Sequence, residues 1–122
     1  MLFSLLLHLK EKEVKHSMAL FGIYGRHEID ACPINNSKNR KMMVEIGKRD
    51  MKAVCSNYKI NKIIGRFHSA LEHTFLWIVD AEDPHLIQKL AMEGGVASFN
   101  EVKIVPLVEF ENVVEMLEKM DN

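Results

Sequence analysis

An α+β fold built on a single sheet is predicted from three features of the chain. Short apolar runs rich in aromatic and β-branched residues alternate with stretches of helical periodicity. The 122 residues are enough for one core and too few for two. Apolar residues make up 48% and charged residues 27%, ordinary values for a folded domain that exclude a disordered chain.

The elements follow in order. Ala19 to Tyr24, ALFGIY, is a buried strand. Residues 25–36 form a loop rich in Gly, Pro, Asn and acidic residues. Asn36 or Ser37 caps a helix whose apolar face carries Met42, Met43, Ile46, Met51 and Val54, with an end expected near Tyr58. Ile60 to Phe67 is a second strand, Ser69 to Glu72 a hairpin turn, and His73 to Val79 a third strand that is apolar on both faces. Asp83 caps the next helix and Pro84 opens it; Leu86, Ile87, Leu90 and Ala91 form its stripe, and Gly94-Gly95 stops it. Val102 to Leu107 is a fourth strand, with Pro106 near its end as an edge tolerates. Glu109 to Met120 is a terminal helix with Val113, Val114, Met116, Leu117 and Met120 apolar.

From residue 19 the order is βαββαβ plus a C-terminal helix, which is the ferredoxin-like motif. It implies a four-stranded antiparallel sheet in the order 4-1-3-2 with both inserted helices on one face. The bare face, expected to carry Trp77 and other large apolar groups, is a patch of a size monomers avoid. A homodimer packed sheet on sheet, the dimeric α+β barrel, is therefore expected; cover by residues 1–17 or by the terminal helix is the alternative. The chain divides into an N-terminal extension, residues 1–17, and a single ferredoxin-like domain, residues 18–122. The run LFSLLLHL at Leu2 to Leu9 is too short for a membrane span, and it lacks the basic start of a secretory signal. It reads as a helix or strand docking Leu5, Leu6 and Leu9, or as an upstream extension with Met18 as the natural start.

Charge narrows the partners. Lys and Arg total 16 against 17 Asp and Glu, so the net charge of −1 offers no global field for nucleic acid or an anionic membrane. The basic run Lys38 to Lys41, continued by Lys48, Arg49 and Lys52, is diluted by Glu45 and Asp50 and has no interleaved aromatics; it reads as a solvated helix face. Cys32 and Cys55 are too few for a disulfide framework and suit a reducing, cytoplasmic location. Cys55 reads as core packing, and Met42, Met43 and Met51 as a core stripe. The glycines make no phosphate loop or dinucleotide fingerprint.

The topology brings chemistry to one end of the sheet. The exits of strands 1 and 2 and the start of strand 3 lie there together. His27 and Cys32 follow strand 1, His68 closes strand 2 and His73 opens strand 3. Imidazole plus thiolate suits nickel, zinc or copper better than calcium or magnesium, so these four are candidate metal ligands. Two plainer readings compete: His27 and His68 as solvated loop histidines, and Cys32 before Pro33 as a small buried residue fixing the loop. A Cys32 thiol activated by a neighbouring histidine is a third possibility, as nucleophile or redox centre. Ligands must be deprotonated to bind, so metal affinity is expected to fall as the pH drops toward about 6.

The stretch His27-Glu-Ile-Asp-Ala-Cys32-Pro33, the hairpin Glu72-His73-Thr74-Phe75, the Val79-Asp-Ala-Glu-Asp junction and the final Val102-Lys-Ile-Val-Pro106 resemble a family of small prokaryotic proteins of unknown function, DUF3303-like, with a ferredoxin-like dimeric barrel fold. The resemblance covers about residues 19–107. In similar sequences a histidine, a Cys-Pro step and a hairpin His-Thr recur, matching His27, Cys32-Pro33 and His73-Thr74. Several carry a further histidine where this chain has Gly25. Related dimeric barrels include a nickel-binding group, cofactor-free monooxygenases and heme-handling enzymes, which implies a dimer with a metal or small-ligand site at the barrel mouth. Three functions are thus in play. The first is transition-metal binding through His27, Cys32 and His73, with His68 as a fourth ligand. The second is cofactor-free oxidation of a small aromatic in an apolar cavity holding Phe67, Phe75 and Trp77. The third is a non-catalytic dimerisation module.

Overall fold

The structure is a computed structural model and describes residues 19–121. The expected extension over residues 1–17 lies outside them. Strand β1 (Leu20–Arg26) is followed by a 3-10 turn at Ile29–Ala31, helix α1 (Ser37–Lys48), helix α2 (Met51–Asn57), strands β2 (Ile60–Ser69) and β3 (Thr74–Ala81), helix α3 (Pro84–Glu93), a second 3-10 turn at Val96–Ser98, strand β4 (Glu101–Leu107) and helix α4 (Phe110–Met120). The strands lie in the order β2-β3-β1-β4, antiparallel throughout. This is the predicted ferredoxin-like sheet. None of the helices among the described residues is long and apolar enough to cross a membrane.

The helix between β1 and β2, expected as one piece, is two. Arg49 leaves the helical region with φ −66° and ψ 148°, and Asp50 caps α2 by accepting from the Lys52 N–H at 3.1 Å. A short acidic side chain that bonds the backbone ahead of it favours a new start over continuation. The Arg49 guanidinium donates to the Gly94 carbonyl at 2.9 Å, tying this break to the end of α3.

Pairing shows which face is which. One face carries Phe21 and Ile23 of β1, Phe75, Trp77 and Val79 of β3, and Val102 and Ile104 of β4, and it packs with Ile87 and Leu90 of α3 and Cys55 of α2. Trp77 therefore faces the helices, which corrects the expectation that the bare face holds it. Both faces of β3 are apolar, so alternation alone does not choose between them. The open face carries Tyr24, Leu76 and Phe67 in one cross-strand row, then Gly22, Ile78 and Val105 in the next. Phe67 is 60% exposed there. Phe67 and Trp77 thus point to opposite sides of the sheet, and the single cavity expected to hold Phe67, Phe75 and Trp77 together does not form within one chain.

Gly25 owes its identity to its cross-strand partner. A Cβ on it would stand 1.8 Å from the Phe75 ring, which lies directly over the glycine. A histidine there would require Phe75 to move. Gly25→Ala is expected to cost about 1–3 kcal/mol through this overpacking. A urea unfolding curve should show a lower midpoint at unchanged slope.

Candidate metal centre

The site is built at the end of the sheet where β1 leaves and β3 enters. The last pair of that ladder is Arg26 with Thr74, and the His27 N–H extends it by one bond to the His73 carbonyl, at 3.0 Å. His27 and His73 are thereby neighbours, with ring centroids 5.6 Å apart. His73 has φ +55°, in the left-handed region, which lets the hairpin turn over residues 70–73 close. Histidine is among the non-glycine residues enriched in that region, and holding it there still costs of the order of 1 kcal/mol.

Cys32 is delivered by the loop after β1. The 3-10 turn at Ile29–Ala31 ends on it, and its carbonyl accepts from the N–H groups of both Asn35 and Asn36 at 2.8 Å. The first turn of α1 holds this loop. The buried Asn39 amide donates to the Ala31 carbonyl at 2.8 Å, and the Arg40 guanidinium donates to Pro33 and Ile34 carbonyls at 2.9 and 2.8 Å. Arg40, read from sequence as part of a solvated basic face, is thus a loop anchor. The result is a Cys32 side chain only 3% exposed.

The ligand-capable atoms of His27, Cys32 and His73 all lie within 4.8 Å of one another. Donors on one tetrahedral zinc ion are separated by about 3.3–3.6 Å, from the usual bond lengths. The cluster therefore needs to contract by roughly 1 Å, within the reach of small χ changes. The Nε2 atom of His27 and the Nδ1 atom of His73 are buried and have no hydrogen-bond partner among the described residues. Orphaned buried nitrogens are costly unless something occupies them. Two nitrogens and a sulfur converging in this way fit a borderline-soft transition metal.

The other ring nitrogen of His27 is satisfied. Nδ1 lies 2.8 Å from the Asn100 Oδ1, and the Asn100 amide nitrogen donates to the Val96 carbonyl at 3.0 Å. The second bond fixes which end of the amide is oxygen, so Nδ1 of His27 carries the proton and its Nε2 presents a lone pair. A histidine held by an acceptor on its far nitrogen is the usual outer shell of a metal ligand. Asn100 gives no sign in the sequence: it is a lone asparagine between a 3-10 turn and a strand.

His68 stands apart from the three. It lines the same cavity, of about 270 Å³, beside His27 and Cys32. Its Nε2, however, accepts from the Trp77 indole at 3.0 Å, and its ring stacks on Phe75. Burial depresses its pKa, and the positive charge of Arg66 pushes the same way, which favours the neutral ring that accepts that bond. Cys55, in α2, packs against the core; burial pushes its thiol pKa up, with Arg66 opposing, as suits a structural rather than a reactive thiol.

Fold and site together define a small single-sheet α+β protein, ferredoxin-like in strand order, with a His/Cys cluster at the sheet end in which Cys32 is buried and the two histidines half-buried. Residues 35–121 match the family described as domain of unknown function (DUF3303). The chain belongs to that family. The match takes in His68, His73 and Asn100 and begins just after His27 and Cys32. No curated protein and no solved structure matches the chain.

Proposed function

We propose that the protein binds one transition-metal ion per chain through His27 Nε2, Cys32 Sγ and the His73 ring. The carrying observation is the pair of orphaned, buried imidazole nitrogens that converge with a buried thiol inside 4.8 Å. Zinc leads nickel and copper, because three protein donors of nitrogen and sulfur are the pattern of zinc sites that are not purely structural. When bound, the ion supplies a Lewis-acid centre; the chain supplies a neutral, tautomer-fixed His27 and a shielded thiolate. A cytoplasmic setting keeps Cys32 reduced. His68 is a wall of the site in this reading, not a ligand. Protein purified without a histidine tag should carry close to one equivalent of zinc, nickel or copper by mass spectrometry, or take one up stoichiometrically after chelation. A chain that stays metal-free under both conditions overturns the reading.

The same proposal includes a homodimer formed through the open sheet face. Tyr24, Phe67 and Val105 are exposed there, and Tyr24 and Phe67 line a depression together with Arg26, Glu101 and Lys103. Apolar groups gathered on one side of a small domain are the mark of an interface. Sedimentation equilibrium is expected to give twice the 14.1 kDa chain mass, and Phe67→Glu to give the single mass. A wild-type chain that remains monomeric at high concentration removes the dimer and leaves the metal site untouched.

A further inference from the structure

We infer that a metal held by His27, Cys32 and His73 keeps a fourth coordination position open to the adjoining cavity, and that this position takes a small monoanion with an apolar tail. The inference rests on the metal reading above. Among the described residues, the cluster contains three donor groups and no fourth. His68 shares the cavity, yet its Nε2 is engaged by Trp77. The cavity of about 270 Å³ is bounded by two of the three ligand residues, His27 and Cys32, so it adjoins the cluster directly.

Charge selects the class of ligand. Two neutral imidazoles and one thiolate leave a divalent ion with a net charge of +1. The residues lining the cavity include no Asp, Glu, Lys or Arg. An uncompensated charge in an apolar surround is costly, so an anionic donor is favoured over a neutral one. The walls select the rest of the molecule. Ile34, Met43, Phe75 and Phe99 give the cavity apolar walls, and His68, Ser69, Thr74 and Asn100 add uncharged polar groups. An anion that carries a short hydrocarbon chain meets both demands, as a small carboxylate does.

The test uses cobalt(II) in place of zinc in the full chain, because its visible spectrum reports coordination. Cobalt should bind with a thiolate charge-transfer band in the near ultraviolet. Its visible bands should then shift saturably with azide and with acetate, propanoate and butanoate. Across the carboxylates the dissociation constant should fall about fourfold per added methylene, the effect of burying one CH₂ group. Cobalt that binds but whose bands ignore every anion overturns the open position and leaves the metal site standing. Absence of cobalt binding overturns both. Anion shifts without dependence on chain length overturn the assignment of the cavity as the tail's place. A response that appears only in Met43→Leu overturns the open position too, by showing the Met43 sulfur to be the fourth ligand.

Discussion

Cys32→Ala and His73→Asn should each weaken zinc binding about a hundredfold while leaving the fold intact. The binding free energy of a four-coordinate zinc site is about 10–16 kcal/mol, so one ligand's equal share is roughly 3 kcal/mol, or about two powers of ten. The choice of replacements matters. Serine at position 32 would bury a hydroxyl in a site that is 3% exposed, and the penalty for that would mix with the loss of a ligand. Alanine removes the sulfur alone. At position 73 the backbone is left-handed, with φ +55°, and asparagine tolerates that region where alanine does not. If the plainer reading holds, and Cys32 merely packs while His27 and His73 merely touch, both variants bind zinc as the parent does. Competition against a chromophoric chelator measures the affinities, and urea unfolding of the metal-free proteins shows that the fold survives. Retained affinity in both variants removes the site.

The same residues show what the sequence could and could not reveal. The meeting of His27 and His73 was legible because it depends only on topology: an antiparallel β1–β3 pair puts the residue after one strand beside the residue before the other, and Cys32 follows in the loop. The βαββαβ order needed only the switch between twofold and helical periodicity. The side chosen by each strand was harder. HTFLWIV is apolar at every position after Thr74, so nothing in it says that Trp77 meets the helices. In β2 the register shifts between Ile60 and Lys62 and again between Ile63 and Gly65. Such bulges reverse which side chains share a face, and they have no fixed motif. They set His68 opposite Phe75, in reach of the Trp77 indole. The division of the first helix was legible in principle, since Asp50 is a good cap, but a continuous apolar stripe from Met42 to Val54 masked it. Polar side chains that act at long sequence distance, such as Arg49 on Gly94 and Asn100 on His27, leave no local pattern at all.

Asn100→Leu should weaken zinc binding about ten- to a hundredfold, although residue 100 donates no atom to the metal. The bond from His27 Nδ1 to Asn100 Oδ1 holds the proton on the far side of the ring. Leucine has similar bulk and no acceptor, so the imidazole is released to place its proton on Nε2, the atom that must be bare to bind. It also removes the side-chain bond to the Val96 carbonyl, which keeps the backbone N–H of residue 100 at 3.2 Å, so a modest loss of stability is expected beside the loss of affinity. Asn100→Asp separates the two effects. Its carboxylate accepts from His27 as the amide does, but it cannot donate to Val96. Stability should therefore fall in both variants, and zinc affinity only in the leucine. Nitrogen chemical shifts of the His27 ring in the metal-free protein read the tautomer directly: Nδ1-protonated in the parent and in Asn100→Asp, mixed in Asn100→Leu. Equal zinc affinities in the two variants, or an unchanged tautomer in Asn100→Leu, would show that Asn100 only packs. The three-residue cluster would then have to orient His27 by contact alone, through the neighbouring rings of His73 and Phe99 at 5.6 and 5.9 Å.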